Sequence, residues 1–185
     1  MKARRSEAWL VLLAAAYLFF LLFSYYLLRP LREAMGIARG AEQLPWLMTA
    51  TMATMFVANP LHAWIVSRMN RRRFIPWICH FFAVNLAGFY AAFRFLPAHG
   101  GVALGYVFYV WLSVFNLFVI SVFWGLMTDV FAADRAQRNF GIIAVGGTLG
   151  AIAGAKATSY LMQDAHLSSA NLMLLALLAL ELGVG

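Results

Sequence analysis

The sequence predicts an all-α membrane protein built as a bundle of six transmembrane helices. Three observations carry that prediction. Hydrophobic residues fill 64% of the 185 positions and charged residues only 11%, with a mean hydropathy of +0.79. Soluble domains run near half apolar and about a quarter charged. The apolar residues also fall in long runs, most of them near the ~20 residues a helix needs to cross a hydrocarbon layer of ~30 Å. Finally, the runs are apolar on every face, whereas membrane strands alternate between lipid and lumen. This composition excludes a soluble enzyme, a disordered tail and a collagen-like fibre. The net charge of +7 does not imply a nucleic-acid partner, because the basic residues cluster between apolar runs. The partner it implies is the lipid bilayer.

The runs predict helices over about 8–28, 44–67, 74–96, 102–128, 140–163 and 167–185, in one domain covering 1–185. The first is too long for a signal-peptide core, and Ser24-Tyr25-Tyr26-Leu27-Leu28 offers no small-residue cleavage site. Lysines and arginines set orientation. With the N-terminus in the cytoplasm, the inner segments carry Lys2, Arg4, Arg5, Arg68, Arg71, Arg72, Arg73, Arg135 and Arg138; the outer ones carry Arg29, Arg32, Arg39 and Arg94. That excess predicts a multi-pass membrane protein with a cytoplasmic N-terminus. The sixth run reaches Gly185 without a polar stop and reads as a bundle cut short at its C-terminus.

Ionisable groups are expensive near hydrocarbon, so each is a candidate functional residue. Tyr25, Arg29 and Arg32 follow at helical spacings of four and three, with Glu33 beside them. Such a face offers a ring and two planar guanidinium forks, which suit carboxylate or phosphate oxygens. A snorkelling interfacial girdle is the plainer alternative. Pro30 kinks this helix or opens a new one. Lys156 lies within the fifth run, two residues beyond a stripe of Gly146, Gly150 and Gly154. The stripe admits a close helix neighbour, and Lys156 points away from it. Asn116 is a polar group inside the fourth run. Arg68, Arg71 and Arg72 form a tight basic turn, and Asp129 with Arg135 sits where the fourth run meets the fifth; these read as gating or bracing groups. The single cysteine and four scattered histidines predict neither a disulfide nor a metal site. No phosphate loop or nucleophile–His–acid set is present, so neither a cofactor nor an enzyme is expected.

The turn after the second run resembles the loop of the major facilitator superfamily, with Arg68, Arg71 and Arg72 matching and Ala63, Ser67 and Asn70 standing for its Gly, Asp and Gly. Leu28-Arg29-Pro30-Leu31-Arg32-Glu33 resembles the Leu-Arg-Asp-x-Lys-Asp stretch of the bacterial and plastid ATP/ADP translocase family. Gly40-Ala41-Glu42-Gln43-Leu44-Pro45-Trp46-Leu47 is similar to the Gly-Ala-Glu-x-Ile-Pro-Phe-Leu that follows it, and Phe123-Trp124-Gly125 to that family's Phe-Trp-Gly. Pro30 and Met48 stand where the family has an acid and a Lys, and the family's acid ahead of Phe-Trp-Gly is missing. The resemblance implies the N-terminal half of a major-facilitator-type fold, a secondary transporter that exchanges an anionic solute such as a nucleotide. Arg29, Arg32 and Lys156 would then meet phosphates, with Glu33 pairing them. A missing C-terminal six-helix half would complete the cavity. Two alternatives stand beside this reading: a major facilitator carrier of another small solute, proton-coupled or not, and a non-transporting scaffold or sensor subunit.

Overall fold

The computed structural model describes residues 2–68, 71–95, 98–131, 133–163 and 168–184. Of these, 2–6, 66, 71–76, 98–100, 133–137, 169 and 184 are described by backbone alone. The described residues form six α-helices and no strand. They are α1 (Lys2–Gly36), α2 (Leu44–Arg68), α3 (Arg71–Phe95), α4 (Ala98–Val130), α5 (Ala133–Gln163) and α6 (Ser169–Val184). A short 3-10 turn at Ala41–Gln43 leads into α2. Just before it Gly40 adopts φ 107°, a region that favours glycine, and turns the chain.

Among the described residues, four helices hold apolar stretches long enough to cross a membrane: Glu7–Gly36, Trp77–Phe95, Gly101–Val130 and Arg138–Gln163. The protein is therefore a multi-pass membrane protein. The six spans expected from the sequence reduce to four on this measure. The apolar part of α6, Ala170–Gly183, is short, and α2 is diluted by Thr49, Thr51, Thr54, Asn59 and His62. Its threonines donate their hydroxyl hydrogens to their own helix, to the carbonyls of Pro45, Leu47 and Ala50, each at 2.8 Å. A hydroxyl satisfied this way needs no water, which lets it sit in an apolar setting.

The helices also outrun the apolar runs. α1 continues through Pro30 to Gly36 instead of ending near Leu28. Proline removes one N–H and crowds the preceding turn, yet here it leaves the helix uninterrupted. Arg29, Arg32 and Glu33 thus belong to α1 itself and not to an outer loop.

α1 and α4 sit at the centre of the bundle. α5 and α6 pack on α1; α2 and α3 pack on α4; α3 and α6 pack on each other. The tightest seam joins α1 and α5. Gly146 faces Ala15, Gly150 faces Phe19 and Gly154 faces Phe23, backbone to backbone. Without side chains on α5 the two backbones come close, and dispersion contacts replace the hydrophobic drive that lipid cannot supply. Thr158 extends the seam, its buried hydroxyl reaching the Leu27 carbonyl at 3.0 Å. Ser24 does the same toward α6, donating to the Ala176 carbonyl at 2.7 Å.

Between α3 and α4 the glue is aromatic. Phe82 meets Phe115 edge-on with centroids 5.0 Å apart, and Phe89 meets Phe108 at 5.2 Å. Such pairs contribute about 0.5–1.5 kcal/mol beyond burial. α2 has little of this. Its main support is α4, where His62 lies edge-on to Phe118 at 4.7 Å. Much of its remaining surface is exposed and apolar, including Trp46, Phe56 and Val57.

Candidate binding cleft

One cleft of about 380 Å³ opens between α1, α2 and α4. That volume falls within the ~300–1,000 Å³ of small-molecule sites. α1 contributes Tyr25 and Arg32 to its lining. These two are seven residues apart, which at 3.6 residues per turn puts them nearly in line on one helix face. α4 contributes Tyr109, Ser113 and Asn116 at spacings of four and three, and α2 contributes Met48, Thr51, Met52 and Met55.

Arg32 organises the polar wall. Its side chain is 15% exposed. Nη1 donates to the Ser113 hydroxyl at 3.1 Å, Nη2 pairs with the Glu33 carboxylate, and the guanidinium carbon lies 4.9 Å from the centre of the Tyr109 ring. Ser113 passes the interaction on by donating to the Tyr109 carbonyl at 3.0 Å. A cation over an aromatic face gains electrostatic stabilisation that grows as water is excluded. Nε of Arg32 is buried and has no hydrogen-bond partner among the described residues. Glu33, at 46% exposure, lies nearer the surface than the cation it neutralises.

The structure brings Tyr25, Arg32, Glu33 and Asn116 together and leaves Arg29 and Lys156 outside. Arg29 is exposed, with its guanidinium 5.4 Å from the Tyr26 ring centre. It lies about 40° round the helix from Tyr25, enough to miss the cleft. Lys156 is exposed on α5, whose glycines face α1. Two residues past Gly154 is about 200° round the helix, so its side chain leaves the seam on the opposite face. It does not line the cleft. The expected wall of cations from the first and fifth helices thus contracts to Arg32. Arg68 is exposed and rests over the Trp64 ring at 4.6 Å. Asp129 is exposed in the last turn of α4. The side chains of Arg71, Arg72 and Arg135 lie outside the described residues.

The sequence reading missed Met48, Thr51, Met52, Met55, Tyr109 and Ser113. Their helical spacing was visible in each segment. What no single segment displays is that α2 and α4 lean together against the Arg32 turn of α1.

The fold is a membrane-spanning helical bundle with a mixed polar and apolar cleft beside its two central helices. The model of the Major Facilitator Superfamily matches residues 1–155, which covers α1 to most of α5. The chain belongs to that superfamily of transporters. No curated protein and no solved structure matches it with significance.

Proposed function

We propose that the chain forms the N-terminal six-helix half of a secondary transporter that exchanges an anionic solute, a nucleotide in the manner of the ATP/ADP antiporters. The observation that carries this reading is Arg32, a guanidinium held in the cleft by Ser113, Tyr109 and Glu33. Glu33 engages Nη2 and leaves Nε unmet. An oxyanion that displaced Glu33 would meet Nη2 and Nε together, the paired geometry in which arginine binds phosphate and carboxylate best. Anion entry and Glu33 release are then one event, which is how a bound solute can bias the carrier between two states.

In this reading α2 and α6 join the four apolar helices as spans, the N-terminus lies in the cytoplasm of a bacterial cell, and a second six-helix half supplies the opposite wall of the cavity. Counterflow in proteoliposomes that hold this chain together with the second half tests it. Liposomes loaded with ADP should accumulate labelled ATP, and Arg32→Gln should reduce the rate at least tenfold with insertion unchanged. Absence of counterflow with every nucleotide sinks the nucleotide reading. A proton-coupled carrier of another solute is the second reading, prompted by the carboxylate of Glu33 paired with the cleft cation Arg32. Uptake driven by an inward proton gradient, and lost in Glu33→Gln, would select it.

A further inference from the structure

The two sides of the cleft differ in chemistry. α1 and α4 present a cation, hydroxyls and an amide. Across from them α2 presents Met48, Met52 and Met55, successive turns of one helix face, interrupted only by Thr51, whose hydroxyl is already spent on the Leu47 carbonyl. These methionines are not core residues. Met48 is 55% exposed and Met52 66%, while both line a cleft that also holds two tyrosines. Methionine is unbranched and polarisable; it moulds to flat surfaces and attracts ring edges. The net charge of the polar wall is close to zero, since Glu33 offsets Arg32.

We propose that the methionine face of α2 is the specificity surface of the site: it takes the flat, uncharged body of an organic anion whose charged end is taken by Arg32. The inference rests on the anion-carrier reading and adds to it that charge alone does not select the solute. The purine ring of a nucleotide and the ring of an aromatic carboxylate both meet the requirement; a bare oxyanion does not. The methionines work by complementarity, so an apolar helix face of the same volume but without the sulfurs should bind less discriminately.

Thermal unfolding of the purified chain in lipid nanodiscs tests this, because a ligand that binds the folded state raises the midpoint by an amount that grows with the logarithm of its concentration over Kd. Two matched pairs serve as probes: ADP against pyrophosphate, and benzoate against acetate. Within at least one pair the ring-bearing anion should reach a given shift at about one-tenth the concentration of its bare partner, the effect of roughly one good sulfur–ring contact. The double variant Met48→Thr, Met52→Thr alters exposed positions, so it should fold. It should erase the preference and leave the weak response to the bare anion intact; Met48→Leu, Met52→Leu should retain part of it. Equal responses within both pairs in the wild type, or a preference unchanged in the threonine variant, overturn the proposal. Arg32→Gln separates the two readings. If it leaves the midpoint shifts unchanged, or if uncharged benzamide matches benzoate, the anion-carrier reading falls while the methionine surface stands. A chain that responds to none of the four probes refutes both.

Discussion

Gly150→Ala should damage the bundle out of proportion to the one methyl group it adds. A Cβ at Gly150 would stand 2.8 Å from the Phe19 Cα and 2.9 Å from the Phe19 carbonyl carbon. Carbon atoms pack best at about 3.5–4.0 Å, so the overlap approaches 1 Å. The obstructing atoms are backbone, and no rotamer can move them. α1 and α5 must separate, and the contacts at Gly146 and Gly154 loosen with them. Overpacking of this kind costs about 1–3 kcal/mol. Gly141 lies on the same helix with nothing within 4 Å of its Cβ position. There alanine should stabilise, by up to ~1 kcal/mol, because glycine is the poorer helix former. The two variants should therefore differ by about 1–4 kcal/mol in unfolding free energy, although the substitution is chemically identical. Unfolding in mixed micelles titrated with SDS, followed by circular dichroism, reads that difference. Equal midpoints for Gly150→Ala and Gly141→Ala would refute the close α1–α5 seam.

Three further outcomes are expected. Ser24→Ala should lower stability by about 1 kcal/mol in the same titration, since it removes the buried hydrogen bond from the Ser24 hydroxyl to the Ala176 carbonyl. Cys79 is 1% exposed beside the Tyr17 hydroxyl, so a water-soluble maleimide should leave it unlabelled until SDS unfolds the chain, while a cysteine placed at exposed Ile37 labels at once. Phe115→Ala removes a fully buried ring packed on Phe82 and Trp111 and should cost about 3–5 kcal/mol, whereas Phe56→Ala, at a ring 77% exposed, should cost less than 1 kcal/mol within this chain.

The helical class and the packing stripe on α5 were legible in the sequence for local reasons, but not that α1 fills the stripe. A glycine every fourth residue marks one face of one helix, and placing Lys156 opposite it needs only the helical repeat. The same arithmetic correctly aligned Tyr25 with Arg32. It failed for Arg29, because a spacing of four leaves a residue 40° off the line and a long side chain then follows its nearest ring, Tyr26. It failed again for the convergence of Lys156 with the arginines, since which faces of different helices meet is a non-local property. The cleft itself comes from three segments far apart in the chain, and hydropathy carries no record of that pairing. Helix ends were misjudged where polar residues continue a helix beyond its apolar run, as in α1 past Pro30.

The unequal support of the flanking helices has a mechanical consequence. α5 is clamped to α1 by backbone contact along three turns, while α2 leans on α4 with most of its surface unengaged. The packing is therefore asymmetric: one side of the bundle is a tight backbone seam and the other a loosely held helix. Local opening should begin at α2 well before the α1–α5 seam parts.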